Sequence, residues 1–232
     1  MDRTELTNTD EKKAVGYSAA ALVEDGMVVG LGTGSTTAFA IEALGRRVDE
    51  GLDIKGIPTS YQSQMLAIEW GIPLTSLDQD PVLDIALDGA DQVDVDLFVI
   101  KGGGAAHTNE KIVARSSRQF VVLVDEKKMV DTFTYPVPLE VIPRALELVK
   151  RQVMALGGSP LLRMAVRKDG PVITDNGNLV VDVDFGEIPD PRKLAMELSV
   201  CTGIIEHGIF DNVDEVYVGK RDGSIEIIKC KR

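Results

Sequence analysis

The chain has 232 residues and a formal net charge of −12 at pH 7, with 44% hydrophobic and 27% charged residues. A chain of this length can bury a core without disulfides or a structural metal, as one domain or as one domain with a smaller appendage. The composition excludes collagen-like, disordered and disulfide-scaffold proteins. Such an acidic chain is not expected to hold nucleic acid through a broad basic surface, although a few lysines in a cleft can bind a small anion. The acid excess also fits an adaptation to high salt.

Targeting signals and cysteines bear on where the protein works. No apolar run approaches the ~18 residues of a membrane span, and residues 1–13 are polar and charged, without the apolar segment of a signal peptide. Cys201 and Cys230 are too few for a disulfide framework, so we expect reduced thiols. The sequence therefore predicts a cytoplasmic protein with no membrane partner.

Strand-like and helical segments alternate along the first half of the chain. A helix is predicted first, over Asp10–Val23, because apolar residues recur there at helical spacing. Further helices are expected over Thr36–Leu44, Ser60–Trp70 and Asn109–Ser117. The βαβ alternation predicts an α/β fold with a Rossmann-like, mostly parallel sheet and helices on both faces. Its short apolar strands are expected at Met27–Leu31, Asp53–Ile57, Leu83–Leu87, Leu97–Ile100 and Phe120–Val124.

The pattern changes near Tyr135. Prolines in Pro136–Ile142 suit an edge strand or the start of a strand, and Pro143 suits the first turn of a helix that ends near Met154. The β-α-β-β-α-β order predicts a small α+β (ferredoxin-like) lid subdomain over 135–207, beside a catalytic domain of 1–134 and 208–232. Its remaining elements, and a tail hairpin expected to return to the main domain, are Leu161–Val166, Leu179–Val183, Pro191–Leu198, Glu215–Val218 and Ile225–Ile228.

A glycine-rich loop, Gly30–Thr36, follows the first predicted strand. Glycines let successive backbone N–H groups face an anion, and Ser35 and Thr36 add hydroxyls at a helix N-terminus. The loop is not a Walker loop, because no lysine follows Gly34, and Ser35 stands where a dinucleotide fingerprint has its third glycine. The sequence thus favours phosphate or carboxylate binding, with a plain tight turn as the alternative.

Two carboxylates, Asp88 and Asp91, follow another buried strand and are separated only by Gly89 and Ala90. Such a pair can divide acid and base roles if the two surroundings differ. The same pattern is typical of an Asx turn followed by a helix cap. Both interpretations stay open from the residues alone.

A third loop, Lys101-Gly102-Gly103-Gly104, leads to a predicted helix start. Three glycines in a row are costly in backbone entropy, which suggests that a ligand approaches the backbone closely. Thr108 is the predicted N-cap and Glu110 lies in the first turn, where the helix dipole keeps a carboxylate ionised and able to act as a base. The alternative is that Glu110 is only a favourable first-turn acid and Lys101 a solvated charge.

Lysines near two other elements are candidates for holding an anionic substrate. Lys127 and Lys128 come directly after the strand that ends at Val124, and Lys12 lies in the first helix. Surface charge is the alternative for each of them. No His, Asp and Glu cluster has metal-ligand spacing, so the sequence predicts no metal, and His107 and His207 are not expected to be catalytic.

Several stretches occur in the order that they have in one enzyme family, and the chain closely resembles ribose-5-phosphate isomerase of the A type. That resemblance implies a phosphosugar substrate, no cofactor, no metal, and a homodimer or homotetramer. One departure is Gln92, where the family usually has Glu; it removes a negative charge but leaves both aspartates. The matching stretches are Glu11–Gly16, Val29–Thr36, Leu87–Asp91, Ile100–Ala106, Glu110–Lys111, Pro138–Pro143 and Thr174–Asn178.

The resemblance also implies residue roles. Glu110 would be the general base, Asp88 would open the sugar ring with Asp91 as its partner, and Lys101 would stabilise the intermediate. Thr33 would join the sugar contacts, with phosphate held by the loop and by two lysines. The residues that the resemblance assigns to substrate binding are Lys12, Thr33, Gly34, Ser35, Thr36, Asp88, Gly89, Ala90, Asp91, Lys101, Gly102, Gly103, Gly104 and Lys128.

The implied reaction interconverts D-ribose 5-phosphate and D-ribulose 5-phosphate through a cis-enediolate, in the non-oxidative pentose phosphate pathway. Three other classes compete with it. A noncatalytic phosphosugar sensor should carry a basic helix-turn-helix module, yet one helix precedes the strand at Met27. A nicotinamide-dependent oxidoreductase should have glycine at Ser35, and a CoA transferase also uses a glutamate near a glycine loop.

Overall fold

The computed structural model describes residues 9–230. Contacts divide the chain into a first unit, which contains the residues up to Gly89, Val113–Met129 and the residues from Val213 on, and a second unit of Ala90–Ile112 and Val130–Asn212. The helices are α1 (Thr9–Ala20), α2 (Ser35–Asp49), α3 (Tyr61–Glu69), α4 (His107–Ser116), α5 (Leu146–Ala155) and α6 (Pro191–Ser199). Short 3-10 turns cover Glu126–Lys128 and Pro143–Ala145.

The strands are short and fall into three sheets. Those of the first unit are β1 (Val28–Leu31), β2 (Lys55–Pro58), β3 (Leu83–Gly89), β6 (Ser117–Asp125), β12 (Glu215–Gly219) and β13 (Ile225–Lys229). Those of the second unit are β4 (Gln92–Val93), β5 (Val99–Ile100), β7 (Val137–Val141), β8 (Ser159–Leu162), β9 (Leu179–Asp184), β10 (Ile204–His207) and β11 (Ile209–Phe210).

The first unit is built on a sheet in the order β13-β12-β6-β3-β1-β2, parallel except for the β12–β13 hairpin. Val29 and Leu31 of β1 pack into the core with α1, α2 and α3, whereas the opposite face at Gly30 meets Val113 of α4. Helices therefore cover both faces, and the predicted α/β class is confirmed. The predicted tail hairpin is also confirmed, and it joins this sheet through β6.

The strand order places the candidate loops at one point of the sheet. Counted in chain order, the parallel strands run second, first, third, fourth, fifth, which is the flavodoxin-like version of a doubly wound sheet. In such sheets the chain reverses direction between the first and third strands, and ligands bind there, outside the carboxyl ends. The loop after β1 and the end of β3 flank this point.

The predicted strand Leu97–Ile100 does not belong to the parallel sheet. Only Val99 and Ile100 are extended, as β5, and they pair antiparallel with β4 and β11. Leu97 has φ 62°, a left-handed backbone that stops the strand, and the carboxylate of Asp94 accepts from the N–H of Phe98 at 2.8 Å to close a turn. The prediction that this apolar run is buried is confirmed, but the turn at Leu97 was not predicted.

The second unit contains the predicted β-α-β-β-α-β order as β7-α5-β8-β9-α6-β10. Its antiparallel sheet runs β10-β7-β9-β8, which is fourth, first, third, second and therefore the ferredoxin-like arrangement. Val149 and Val153 of α5 and Leu198 of α6 are fully buried in its core. The domain bounds 1–134 with 208–232 and 135–207 stay a prediction, and the division by contacts assigns 90–112, 130–134 and 208–212 to the second unit instead.

The prolines of Pro136–Ile142 were expected in an edge strand or at the start of a strand. The edge strand is wrong, because β7 lies between β10 and β9, whereas the start of a strand is confirmed, because β7 begins at Val137. Pro138 is tolerated inside this sheet because another residue makes the hydrogen bond that its missing N–H cannot make. The carbonyl of Pro138 accepts from Gly208 at 2.8 Å, and the carbonyl of Gly208 accepts instead from the N–H of Lys101 at 2.8 Å. Lys101 thus occupies the ladder position that Pro138 cannot fill.

Two remaining expectations concern compartment. Cys201 and Cys230 are both free thiols, as the sequence predicts. Over residues 9–230, none of the helices has the combined length and apolar character that a bilayer crossing requires.

Candidate functional site

Asp88 is fixed at the carboxyl end of β3 by the loop that follows β1. Its side chain is 2% exposed, and its Oδ1 accepts from the N–H of Thr33 at 3.1 Å and of Gly89 at 2.7 Å. Gly32 must be glycine, since a Cβ there would lie 2.2 Å from Cγ of Asp88. The loop and the carboxylate are therefore packed as one piece.

The same loop continues directly into α2. Gly34 has φ 118°, which a side chain would strain, and its carbonyl accepts from Ala38 to open the helix. The hydroxyl of Thr33 lies 2.8 Å from that of Thr59 and 2.6 Å from that of Ser60. Thr33 is thus held through the residues that follow β2.

A cation and a hydroxyl meet at the N-terminus of α2. Lys12 donates from Nζ to Oγ of Ser35 at 3.0 Å, and Ser35 is exposed whereas Thr36 is buried. The helix dipole and the N–H groups of the first turn favour an anion at this place. Lys128 ends the 3-10 turn that follows β6 and is half-buried, whereas Lys127 is exposed.

Thr37 was not singled out from the sequence. Its hydroxyl is buried and has no hydrogen-bond partner among the residues that the structure describes. A Cβ on Gly89 would lie 3.8 Å from this oxygen, so the hydroxyl faces the end of β3. The available signal was the run of three hydroxyl residues, Ser35 to Thr37, at a helix start.

The second unit holds a buried ion pair beside the triple glycine. Nζ of Lys101 lies 3.2 Å from Oε2 of Glu110, and the two side chains are 2% and 4% exposed. The ammonium also lies 5.6 Å from the centroid of the Phe210 ring. Because taking two charges out of water is expensive, a buried pair is weak as a source of stability and stands out as a candidate for chemistry.

The glycine turn next to this pair is crowded rather than open. Gly102 has φ 113°, and a Cβ there would lie 2.8 Å from Nδ1 of His107. The N–H of Gly103 donates to Oδ2 of Asp91 at 2.7 Å, and a Cβ on Gly103 would lie 2.6 Å from Oδ1. Asp91 is therefore bound to the turn.

Glu110 lies in the first turn of α4, as predicted, and its N–H donates to the carbonyl of Ala106 at 3.0 Å. The prediction of Thr108 as N-cap is wrong, because α4 begins at His107. Ala105 has φ 62°, and this left-handed residue turns the chain into the helix, which begins two residues before the predicted Asn109.

A second buried carboxylate, Glu140 of β7, lies beside the start of α4. It accepts from the hydroxyl of Thr174 at 2.8 Å and from the side-chain amides of Asn176 at 3.2 Å and Asn178 at 2.8 Å. Burial alone would raise the pKa of Glu140, but the hydroxyl of Thr108 and these other donors outweigh it and hold the pKa below its usual range. Thr174, Asn176 and Asn178 thus hold the carboxylate of Glu140 through three hydrogen-bond donors.

The two histidines are buried near α4. Desolvation lowers the pKa of His107 from 6.5 to about 4, with Lys111 contributing, and burial and Lys111 lower that of His207 to about 4 as well. Both rings are therefore neutral at pH 7. Among residues 9–230, no group of three or more His, Cys, Asp or Glu side chains is placed to hold a metal ion.

The predicted site residues therefore fall into two groups, each inside one unit. The predicted site residues of the first unit, which we call the loop cluster, are Lys12, Thr33, Gly34, Ser35, Thr36, Asp88, Gly89 and Lys128. Those of the second unit, which we call the carboxylate cluster, are Ala90, Asp91, Lys101, Gly102, Gly103, Gly104 and Glu110. The division between units falls between Gly89 and Ala90, within the Asp88–Asp91 turn.

Comparison with known proteins shows which family this chain matches. Residues 55–223 match the family model for ribose 5-phosphate isomerase A (phosphoriboisomerase A). Ribose-5-phosphate isomerase A of Methanosarcina acetivorans is 60% identical over 98% of this chain and 97% of its own length. The protein of the same name from Natronomonas pharaonis is 59% identical over 92% of this chain and 94% of its own length.

Solved structures agree with the sequence matches. Ribose 5-phosphate isomerase A from Methanocaldococcus jannaschii superposes with a TM-score of 0.92 at 48% identity, over 96% of this chain and all of the other. A D-ribose-5-phosphate isomerase in complex with phospho-erythronic acid also gives 0.92 at 48% identity, over 95% of this chain and 98% of the other. The chain belongs to the ribose-5-phosphate isomerase A family.

Proposed function

We propose that this chain interconverts D-ribose 5-phosphate and D-ribulose 5-phosphate through a cis-enediolate, with Glu110 as the general base, in the non-oxidative pentose phosphate pathway. Membership of the family supports the reaction and sets aside the sensor, oxidoreductase and CoA-transferase classes. The observation that carries the mechanism is the buried Lys101–Glu110 pair, 3.2 Å apart at the start of a helix and beside a glycine turn.

The proton transfer needs one rigid carboxylate. A proton leaves the carbon next to a carbonyl and returns to the neighbouring carbon, and a single base over the plane of the enediolate can serve both positions. Glu110 is suited to this because its backbone is fixed in the first turn of α4 and its side chain is almost fully buried. Its place on a helix leaves it little freedom to swing away.

The enediolate oxygens gain negative charge and require donors that are already in position. In our proposal these are the ammonium group of Lys101 and the backbone N–H groups of the glycine turn other than that of Gly103, which donates to Asp91. Asp88 opens the sugar ring, with Asp91 as its partner. The hydrogen bonds that hold Asp88 to the β1 loop and Asp91 to Gly103 support this, since both carboxylates have a fixed orientation.

The loop cluster binds the substrate phosphate in this proposal, through the start of α2, Ser35, Thr36, Lys12 and Lys128. The contact between Lys12 and Ser35 supports the assignment, because it places a cation at a helix N-terminus. Phosphate binding energy orients the sugar for the chemistry at its far end.

The proposed base is tested by Glu110→Gln. The amide keeps the shape of the side chain but cannot take a proton, so we expect kcat to fall by at least about 100-fold, with KM for ribose 5-phosphate little changed. The melting temperature should fall, because Lys101 is then buried without its partner charge, so the variant is assayed at a temperature where it stays folded. Ketose formation from ribose 5-phosphate is the assay. Glu147→Gln, at a side chain that is 76% exposed, is the matched control and should keep full activity. Near-normal turnover in Glu110→Gln would remove Glu110 from the role of base.

Assembly and compartment belong to the same proposal. The family resemblance supports a homodimer or homotetramer in the cytoplasm, without metal or cofactor. Light scattering tests the assembly, because the chain of 25.1 kDa should be found at two or four times that mass. A monomer at assay concentration would contradict it, and loss of activity on EDTA treatment would contradict the metal-free reaction.

A further inference from the structure

Arg163, the first residue after β8, holds a fixed position beside the glycine turn. Its Nε donates to Oδ2 of Asp182 at 2.8 Å, and its Nη2 donates to Oδ1 of the same carboxylate. Asp182 lies on the neighbouring strand β9, opposite Leu161. The two side chains are 18% and 23% exposed, so the pair is largely shielded. A two-point contact of this kind fixes the plane of the guanidinium as well as its location.

The remaining nitrogen of the guanidinium reaches the backbone of the glycine turn. Nη1 donates to the carbonyl of Gly102 at 2.8 Å and to that of Gly103 at 3.3 Å. In a trans peptide the N–H points away from the carbonyl. The peptide held at the Gly102 carbonyl therefore presents the N–H of Gly103 to Asp91, and the peptide held at the Gly103 carbonyl directs the N–H of Gly104 away from Arg163.

We propose that Arg163 is a positioning residue for the isomerisation: by holding the two peptides of the glycine turn it keeps the N–H of Gly103 on Asp91 and aims the N–H of Gly104 at the oxygens of the enediolate. This inference rests on the proposed function. Consecutive glycines sample many backbone conformations, and a donor that must first be oriented contributes little to a transition state. The guanidinium removes this freedom from the carbonyl side, where it does not compete with the substrate.

The charge of Arg163 has a second effect on the same peptides. A hydrogen bond accepted by a carbonyl polarises the whole peptide unit and strengthens the bond that its N–H can donate. Asp182 is required for this arrangement because it holds two of the guanidinium nitrogens and leaves Nη1 directed at the turn. A lysine at position 163 would supply charge but could not bridge the carboxylate and two carbonyls in one plane.

The test is Arg163→Met, which keeps the length of the side chain and removes its donors. We expect kcat to fall by about 10- to 100-fold, the range that a small misplacement of catalytic groups produces, while KM for ribose 5-phosphate stays within about 2-fold. The inhibition constant of phospho-erythronic acid, whose carboxylate stands for the enediolate oxygens, should rise about 10-fold. Inhibition by inorganic phosphate, which reports the phosphate end alone, should be unchanged. Arg163→Lys should recover part of kcat.

Arg118→Met is the matched control. Arg118 also donates to an aspartate, Asp84 at 2.6 Å, but that pair lies in the first unit and the Arg118 side chain is 71% exposed. Arg118→Met should leave kcat, KM for ribose 5-phosphate and both inhibition constants unchanged. Should Arg163→Met fail to fold, Asp182→Asn carries the same test, with the same direction of change and a smaller size.

The results that would overturn the positioning role of Arg163 differ from those that would overturn the proposed function. Unchanged kcat and unchanged inhibition by phospho-erythronic acid in Arg163→Met, or in Asp182→Asn where the first variant does not fold, would overturn the positioning role. An equal loss of inhibition by inorganic phosphate would also overturn it, because it would show general damage. A wild-type chain without isomerase activity would overturn the proposed function, and the positioning role with it.

Discussion

At the scale of single residues, the carboxylate cluster places two opposite charges where water is excluded. Lys101 and Glu110 are each almost fully buried and lie 3.2 Å apart. The desolvation of both groups offsets most of their attraction, so the pair adds little net stability while it is complete. Removal of one partner is different, because the other charge is then left in a medium that cannot solvate it.

Lys101→Met should therefore lower the free energy of unfolding by about 3–5 kcal/mol, measured by urea denaturation. The double variant Lys101→Met with Glu110→Gln removes both charges and should regain most of that loss. Lys150→Met is the control, since its ion pair with Glu147 is exposed and should cost about 0–1 kcal/mol. Equal stability of the single and double Lys101 variants would show that the two charges do not interact.

For single residues, the sequence predicts a candidate where the signal comes from neighbours in the chain. Glu110 could be named as a candidate because a glycine turn and a helix start adjoin it in the chain. Glu140 and Arg163 were not, because their partners lie far away: Glu140 accepts from Thr174, and Arg163 donates to the turn at Gly102. Neither contact leaves a periodic pattern in the sequence, so only the folded chain shows it.

At the scale of elements, the start of α4 is enclosed by buried ionisable groups. His107 is influenced by Glu140, Lys111 and Arg163, and its Nε2 lies 3.3 Å from the carbonyl of Glu206. Helices and strands were predicted where the apolar pattern of the sequence is clear, as for α2 and β3. The predictions failed where left-handed residues, Leu97 and Ala105, redirected the chain. Such residues are not expected at non-glycine positions, which is why β5 and the first residue of α4 were misplaced.

Stability should consequently fall as the pH is lowered from about 6.5 to about 4, the range between the ordinary histidine pKa and the pKa of buried His107. The unfolded chain binds protons at its histidines throughout this range, whereas the folded chain does not until near its lower end. The shift for His107 corresponds to roughly 3 kcal/mol at most. His207, whose pKa is also lowered to about 4, acts in the same direction.

The measurement is the free energy of unfolding against pH, for wild type and for His107→Asn. The variant carries no titrating group at this position, so its curve should be flatter between the two pH values although its stability at neutral pH is lower. Two parallel curves would show that His107 does not contribute to the acid sensitivity of the fold.

At the scale of the whole molecule, 37 acidic residues stand against 25 basic ones. The excess of negative charge opposes folding by self-repulsion, yet in our proposal the loop cluster attracts an anion. Lys12 of α1 shows how an acidic chain can still bind an anion. Its Nζ donates to Ser35 at the start of α2, and a cation at a helix N-terminus acts at short range, where distant surface charge is screened.

The melting temperature should therefore rise as KCl is increased from about 0.05 M to about 1 M, because the screening length falls from above 10 Å to about 3 Å. Most of the rise should come at the lower concentrations, where screening changes over the distances between surface charges. KM for ribose 5-phosphate should rise over the same range, since salt also screens Lys12 and Lys128. Sorbitol of equal osmolality is the control and should not reproduce the early rise. A melting temperature that is flat in KCl would show that surface repulsion does not limit stability, and would remove the case for an adaptation to high salt.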